Sequence, residues 1–417
     1  MNHNITEELA LQNAECRTLT NGVKLYTLPC NEFEVVRVTF VFGAGSVVQS
    51  VPFSATATAN MMYEGSRDLS SREIAEKLDY YGSYFDVNID RDYSYISFCS
   101  LSKFVEPTLE VAEQIILYPT FPQCELDTYC NKRKQRLAIE RQKVETKARE
   151  EFAKSLFGEG HPYGKTFSES EYDNLTREDL IYIYNKFYVA SNCFVVVSGK
   201  ITDEVTSLVE RVAEAIPQRE EPSRVDFPEP QQRPYHLVEK ADAVQSSIRI
   251  GRLLFERTHP DFVGMQVLAT VLGGYFGSRL MKSLREERGY TYGVMSAMVN
   301  FAKSGYFAIA TQVGVEVVDD ALELIYEQIE MLRSEPISNE ELEMVKKIMI
   351  GEIMRILDGP FGIADVTIEN ILCGRTNEAI AQNVAQIESI TPQTLQLLAE
   401  RYLTHESLIT VISGARG

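Results

Sequence analysis

The stretch LTREDLIYIYNKFYVASNCFVVVSG at residues 175–199 returns later in the chain as ITPQTLQLLAERYLTHESLITVISG at residues 390–414. The two copies align without a gap at an offset of 215 positions. In each copy a threonine precedes a helical pattern, an aromatic residue closes that pattern, and a β-branched run ends in Ser-Gly. Two copies of one helix–strand unit predict a chain built from two related halves.

A second match supports the duplication, because YEGSR at residues 63–67 corresponds to YFGSR at residues 275–279, at an offset of 212 positions. Between the halves, residues 217–234 contain a group of prolines that excludes a helix or a central strand. These prolines are Pro217, Pro222, Pro228, Pro230 and Pro234. The pattern predicts an N-terminal domain at residues 1–216, a linker at 217–235 and a C-terminal domain at 236–417.

Each half combines strand and helix patterns. Runs rich in Val, Ile, Phe and Tyr predict strands at residues 35–47, 84–101 and 193–199, and near 246–254, 292–300 and 306–312. Helical spacing occurs at residues 71–81, 107–117, 125–157 and 177–188, and near 261–272, 316–334, 339–357 and 391–402. This order predicts an α+β fold of two duplicated domains, each with helices packed on one face of a largely antiparallel sheet.

Composition and charge limit the functional class. A content of 44% hydrophobic and 24% charged residues is typical of a globular protein with a sizeable core. The sequence has no apolar stretch of about 20 residues, so we expect no membrane span. The net charge of −19 argues against nucleic-acid binding, which depends on basic surfaces, and favours a cationic or peptide partner.

The cysteine pattern indicates the compartment. Seven cysteines are scattered without CxxC spacing, which is typical of free thiols in a reducing environment. Residues 1–16 lack the basic start and apolar centre of a secretory signal. We therefore expect a cytoplasmic location.

A series of short motifs resembles the insulinase/pitrilysin (M16) zinc peptidase family. The motifs are NGVK at 21–24, FGAGS at 42–46, GHPYG at 160–164, YVASN at 188–192, LGG at 272–274, GSRL at 277–280 and LREERG at 284–289. The resemblance extends from Asn21 to Gly414. It implies two similar α+β domains of the metallopeptidase type, and a chamber formed by two such pairs.

Active members of that family carry His-x-x-Glu-His on the helix after FGAGS, where two histidines on one helix face bind Zn²⁺ and the glutamate activates the metal-bound water. The resemblance places Thr56 and Asn60 at the histidines and Ala59 at the glutamate. It places Glu140 at the third ligand, a glutamate of the following long helix. A hydroxyl and an amide are poor zinc ligands and alanine offers none, so we expect this chain to hold no metal and no cofactor.

The second half keeps another part of the family pattern. LREERGYTYGV at residues 284–294 resembles the segment that supplies an arginine and a tyrosine opposite the zinc, and the match falls on Arg285 and Tyr292 rather than on Tyr290. In the family the tyrosine hydroxyl supports the developing oxyanion and the arginine holds the substrate main chain. The resemblance implies that Arg285 and Tyr292 act in trans, on a peptide bound to a zinc-bearing partner subunit.

The predicted function is a non-catalytic subunit of an M16-type heterodimer that hydrolyses peptides, with self-association left open. A partner segment is expected to add as a strand near residues 84–90. One alternative is a scaffold or peptide-binding module of a larger complex with no role in catalysis. Another is a hydrolase that uses a cysteine, although no cysteine adjoins a histidine in sequence. The histidines are His3, His161, His236, His259 and His405, and no two are four positions apart.

Overall fold

The computed structural model describes residues 13–223, 225–233 and 235–416. The first sheet has the strand order β1-β2-β6-β3-β5-β4, and its neighbours are antiparallel except for β2 and β6. Its strands are β1 (Glu15–Thr18), β2 (Lys24–Pro29), β3 (Val35–Phe42), β4 (Tyr84–Ile89), β5 (Ser94–Leu101) and β6 (Cys193–Gly199).

The second sheet has the strand order β7-β11-β8-β10-β9, with β7 and β11 parallel and the other neighbours antiparallel. Its strands are β7 (Tyr235–Glu239), β8 (Gln245–Leu254), β9 (Val294–Phe301), β10 (Ser304–Gly314) and β11 (Ile409–Gly414). When β1 is left out, the two sheets have the same order and the same pattern of directions. The α+β fold with duplicated halves is therefore confirmed.

Helices separate the strands in both halves. In the first half they are α1 (Ser54–Met61), α2 (Ser71–Tyr81), α3 (Val105–Leu117), α4 (Gln123–Glu140), α5 (Val144–Phe157), α6 (Arg177–Phe187) and α7 (Asp203–Glu214). In the second half they are α8 (Phe262–Ala269), α9 (Val318–Ser334), α10 (Asn339–Ile356), α11 (Pro360–Leu372), α12 (Glu378–Ser389) and α13 (Pro392–Tyr402). Two π-helical segments, Thr270–Gly274 and Met281–Glu287, follow α8.

The repeated sequence unit forms the same local structure twice. Helices α6 and α13 each span 11 residues and each begin after a threonine. The Thr176 hydroxyl accepts a hydrogen bond from the Asp179 amide, and Thr391 accepts one from the Thr394 amide. Such N-caps satisfy backbone donors that a helix start leaves free, and each stabilises the helix by about 1 kcal/mol.

Two features differ from the sequence-based expectation. The predicted helix at residues 125–157 is two helices, because Lys143 has an extended backbone and begins α5 in a new direction. Arg141 stabilises the break through ion pairs with Glu150 and Glu169. Helices α7, α11 and α12 were not predicted.

Residues 217–223 and 225–233 contain neither helix nor strand, and Pro234 lies outside the described residues. The division of the chain into domains at 217–235 stays a prediction.

One face of each sheet packs on helices of its own half. In the first half this core includes Phe40, Phe42 and Phe98, which are all buried against the helices. In the second half Ile250 and Phe307 take corresponding places. Period-two alternation along the strands directs these side chains to the helix layer.

The other face of the second sheet is covered by α5, a helix of the first half. Phe152 and Leu156 of α5 pack against Ile409 and Val411 of β11. Gly251 permits this approach, because a Cβ there would lie 2.9 Å from the Phe152 ring and 2.0 Å from the Phe307 carbonyl oxygen. Truncating a buried phenylalanine of this kind costs about 3–5 kcal/mol, so α5 binds the two halves together.

The exchange is reciprocal, because α11 of the second half covers the other face of the first sheet. Ala364 and Ile368 of α11 pack against Val41 and Val196. On the same face, Arg37 of β3 donates a hydrogen bond to the Phe361 carbonyl at 2.9 Å and forms an ion pair with Asp365 at 2.5 Å. Each half therefore completes the core of the other half.

A polar cluster also joins the halves. Asp92, in the turn between β4 and β5, accepts hydrogen bonds from the Tyr163 hydroxyl at 2.7 Å and from the Ala302 amide at 2.9 Å. Tyr163 also stacks on Phe301 with ring centroids 4.3 Å apart. Burial raises the pKa of the Asp92 carboxyl, and its two donors offset part of that rise.

We expect Tyr163→Phe to lower the free energy of unfolding by about 1.5–3 kcal/mol, because it leaves a buried carboxylate with one donor fewer. Urea denaturation followed by circular dichroism measures the change. Tyr326→Phe is the matched control, since the Tyr326 hydroxyl bonds the Thr410 hydroxyl inside the second half. That neutral bond is worth about 0.5–1.5 kcal/mol. Equal losses in the two variants would show that the buried Asp92 carboxylate does not make its hydrogen bond stronger than the neutral one.

Candidate functional site

Helix α1 carries Thr56, Ala59 and Asn60, at which the family resemblance predicts a degenerate metal site. Its sequence SATATANM is rich in small residues, and Ala55, Ala57 and Ala59 are completely buried. Small side chains let α1 pack closely on α6, where the Thr58 hydroxyl contacts the Leu180 carbonyl at 3.3 Å. The helix is therefore fixed in position by the core.

Thr56 and Asn60 lie one helical turn apart and are half-buried. The Asn60 side-chain amide donates a hydrogen bond to the Thr56 carbonyl at 2.7 Å. The structure thus brings these two predicted positions together. Ala59 has no exposed surface, so position 59 presents no functional group to solvent.

The other side chain at this place is Arg133 of α4. Its Nη2 atom donates a hydrogen bond to the Asn60 Oδ1 atom at 3.2 Å, and its Cζ atom lies 5.1 Å from the centroid of the Tyr129 ring. Burial raises the pKa of Tyr129 and Tyr172, and the positive charge of Arg133 opposes that rise in both. A guanidinium group, which is always charged, therefore lies beside Asn60, the residue predicted to replace the second histidine.

Glu140 is not part of this arrangement. It lies about two turns beyond Arg133, at the end of α4, and its carboxylate pairs with Lys143 at 2.8 Å. The hydrogen bond from Lys143 lowers the pKa of the Glu140 carboxyl. Among the residues that the structure describes, Glu140 forms no hydrogen bond to Thr56 or Asn60.

These residues do not fit a zinc ion. Zinc in proteins is held by thiolate, imidazole or carboxylate ligands, whereas the groups here are a hydroxyl, an amide and a cation. In residues 13–223, 225–233 and 235–416, no three His, Cys, Asp or Glu side chains are grouped so as to hold a metal ion. The positive charge of Arg133 also opposes the approach of a divalent cation.

Tyr292 lies in the second half, in the turn that leads into β9. The Thr291 hydroxyl donates to the Gly293 carbonyl at 2.8 Å and accepts from the Gly293 amide at 3.0 Å, which closes a tight turn around Tyr292. Its neighbours Thr291 and Val294 are buried, whereas Tyr292 is 90% exposed. The fold therefore holds the backbone of Tyr292 firmly and directs its side chain outward.

A groove of about 450 Å³ lies beside Tyr292, on the face of the second sheet that α5 partly covers. Gln312 of β10 donates a hydrogen bond to Glu145 of α5 at 3.0 Å across this groove. Arg249 of β8 also lines the groove, and burial lowers the pKa of its guanidinium. The groove thus has walls from both halves and carries groups of both charges.

Arg285 lies in the second π-helical segment, with its Cζ atom 4.6 Å from the centroid of the Phe276 ring. Phe276 is itself 63% exposed, so the pair forms an open surface feature. Arg285 does not line the groove beside Tyr292. The structure therefore places Arg285 and Tyr292 on neighbouring segments with separate surroundings.

The cysteine-based alternative gains no support from geometry. His161 is buried against Phe157 and accepts a hydrogen bond from the Tyr163 amide, and burial lowers the pKa of its imidazole. His259 stacks on Phe255. In the described part of the chain no hydrogen bond joins a cysteine to a histidine, and His3 lies outside that part.

Sequence reasoning missed Arg133, because the resemblance directs attention only to the ligand positions. A signal was present in the run KRKQR at residues 132–136, which is basic within a strongly acidic chain. That run alone does not show which of its side chains reaches α1.

We expect the purified protein to contain well under one equivalent of zinc after dialysis, measured by elemental analysis. Thr56→His combined with Asn60→His should raise the zinc content, and adding Arg133→Gln should raise it further, because the variant removes a repelling charge. A full equivalent in the unaltered chain would contradict the expectation. Equal zinc in the double and triple variants would show that Arg133 has no part in excluding the metal.

A model of the peptidase M16 inactive domain matches residues 174–349. The uncharacterized zinc protease YmxG of Bacillus subtilis is 22% identical over 404 residues, which cover 95% of this chain and 97% of that protein.

No helix in the described ranges combines the length and apolar character needed to cross a membrane.

Two solved structures have the same fold. A peptidase M16 inactive domain from Pseudomonas fluorescens superposes with a TM-score of 0.89 at 23% identity, covering 97% of this chain and 98% of that chain. A chain of Complex III2 from Candida albicans gives a TM-score of 0.76 at 16% identity, covering 96% and 95% of the two chains. The sequence matches and the shared fold support an M16-type, peptidase-like protein, and its sequence does not contain His-x-x-Glu-His.

Proposed function

We propose that this protein is the subunit of an M16-type heterodimer that supplies Arg285 and Tyr292 to a zinc-bearing partner. The observation that carries the proposal is the contrast between the two halves. At the metal-ligand positions the chain has Thr56, Asn60 and a neighbouring guanidinium, whereas Tyr292 is rigidly held and 90% exposed beside a groove. An exposed tyrosine on a fixed turn is suited to act on a group outside its own chain.

The chemistry assigned to Tyr292 is hydrogen-bond donation. Its hydroxyl donates to the oxygen of a scissile carbonyl as negative charge develops there, and the fixed turn keeps the loss of backbone freedom small. Arg285 binds the peptide main chain, because its stacking on Phe276 leaves the planar N–H groups free to donate. The partner provides the metal and the base.

Peptide binding along β4 is part of the proposal. β4 is the last strand of the first sheet and pairs with β5 alone among the described strands. Tyr84, Asp86 and Asn88 alternate outward, whereas Phe85, Val87 and Ile89 pack toward the core. An extended segment can pair with such an edge through main-chain hydrogen bonds and with few demands on its sequence.

The compartment is proposed from the cysteines. All seven are free thiols, and burial raises the pKa of several of them, including Cys99 and Cys373. Inert thiols of this kind suit a reducing environment, which supports a cytoplasmic location.

The proposed partner is a second, zinc-bearing chain. A pairing of two copies of this chain would leave the assembly without a metal site.

Hydrogen–deuterium exchange tests the role of β4. A peptide bound as an added strand should slow the exchange of amides in residues 84–90, because their outward N–H groups become hydrogen-bonded. β1, at the opposite edge of the same sheet, is the internal control and should not change. Protection of β1 alone, or of neither strand, would reject binding at β4.

Activity in the mixed heterodimer tests Tyr292. Tyr292→Phe removes a single oxyanion donor and should lower kcat on the order of 100-fold, while association in sedimentation experiments is unchanged. The matched control is Tyr290→Phe, because the Tyr290 hydroxyl bonds Asp320 at 3.2 Å and has no role in the proposed chemistry.

Arg285→Ala should impair the same reaction, and Arg288→Ala, which changes an exposed arginine three positions away, should not. If Tyr292→Phe leaves the mixed activity within about twofold of the unaltered value, the trans-acting role is wrong. The chain would then be a scaffold or peptide-binding module.

A further inference from the structure

We propose that Arg133 and its surroundings form a carboxylate-binding site in the place where active relatives hold their metal ion. The ligand is the carboxylate of a peptide that lies along β4, either its C-terminal group or an acidic side chain. This inference uses the peptide binding proposed above but does not depend on the role of Tyr292 or on a partner.

Arg133 has N–H donors that are free to bind a ligand. Its hydrogen bond to Asn60 uses one of five N–H donors, and the acceptor is a neutral amide. Within the described residues Arg133 forms no ion pair with a carboxylate. A half-buried guanidinium with most donors free is a strong receptor for a planar anion, because the two groups can form parallel, charge-assisted hydrogen bonds.

The second argument is the rigid frame around the guanidinium. The Tyr129 ring lies beneath it, and Tyr172 contacts Tyr129 with ring centroids 6.5 Å apart. Tyr172 in turn stacks on Phe53, which directly precedes α1, with centroids 4.0 Å apart. Cation–π contact and packing hold Arg133 in place, so little side-chain entropy is lost when a ligand binds.

The third argument is the local charge. The chain carries a net charge of −19, yet α4 has four basic residues between positions 132 and 136. Of these, Lys134 pairs with Asp173. Lys132, Arg133 and Arg136 have no ion-pair partner in the described part of the chain. A positive patch on an otherwise acidic protein attracts ligands that carry an anionic group.

The fourth argument is position. Tyr63 follows α1 and contacts Phe85 of β4, with ring centroids 5.3 Å apart. Helix α1 itself packs against β4. Arg133 is bonded to Asn60 of α1, and α1 packs on β4, so one helix connects the guanidinium with the strand along which the peptide is proposed to pair.

Fluorescence anisotropy with the isolated full-length chain tests the site. Three labelled ten-residue peptides of Ala, Val, Thr and Lys are compared: one with a free C-terminus, one amidated, and one amidated with a single internal Glu. At least one carboxylate-bearing peptide should bind on the order of tenfold more tightly than the amidated peptide that has no carboxylate. A gain for the free C-terminus alone identifies that group as the ligand, and a gain for the Glu peptide alone identifies a side chain.

Arg133→Gln should abolish the preference for a carboxylate. Arg136→Gln is the matched control, because it removes the same charge from the same helix and should keep the preference. Arg133→Lys should show an intermediate preference, since it keeps the charge but loses the planar donors. Thermal unfolding confirms that each variant is folded.

Three results would overturn the inference. They are equal binding of the three peptides to the unaltered chain, no binding of any of them, and equal effects of Arg133→Gln and Arg136→Gln. The last result would assign the preference to general electrostatic attraction by α4. A loss of activation in trans with Tyr292→Phe, by contrast, has no bearing on these measurements.

Discussion

The exchange of α5 and α11 is the constraint on which the rest of the structure depends. Each sheet has a second apolar face, and a helix of the opposite half covers it. Exposed apolar surface costs about 25 cal/mol per Å², so neither half is a favourable unit with that face open to water. The exchange fixes the halves relative to each other, and Glu145 of α5 thereby becomes a wall of the groove beside Tyr292.

The two halves have the same strand order but have diverged in chemistry. In the first half, α1 is closely packed through its buried alanines, and its half-buried positions carry Thr56 and Asn60, neither of which is a strong zinc ligand. In the second half, the turn at residues 291–294 exposes Tyr292 and buries Thr291 and Val294. A fold built from duplicated units permits such division, because each unit is stabilised by core positions that are separate from its functional ones.

Local patterns were readable from the sequence, and long-range pairings were not. The helix–strand units ending at Gly199 and Gly414 were predicted because caps and alternation depend on neighbouring residues. The break at residues 141–143 has no proline or glycine to mark it, and the ion pairs of Arg141 become evident only in three dimensions. Arg37 meets Asp365, more than three hundred residues away, and no periodicity records that contact. Arg133 was missed for the same reason, and the degenerate ligand positions stay a prediction from the resemblance.

The reciprocal helices also determine the order in which this chain can fold during synthesis. Phe152 and Leu156 are translated about 250 residues before the strand that buries them, Ile409–Gly414. At about 5–20 residues per second, roughly 10–50 seconds separate the two events. During that interval the apolar side of α5 lacks the strand that covers it in the folded protein, and such transiently exposed apolar surface favours aggregation.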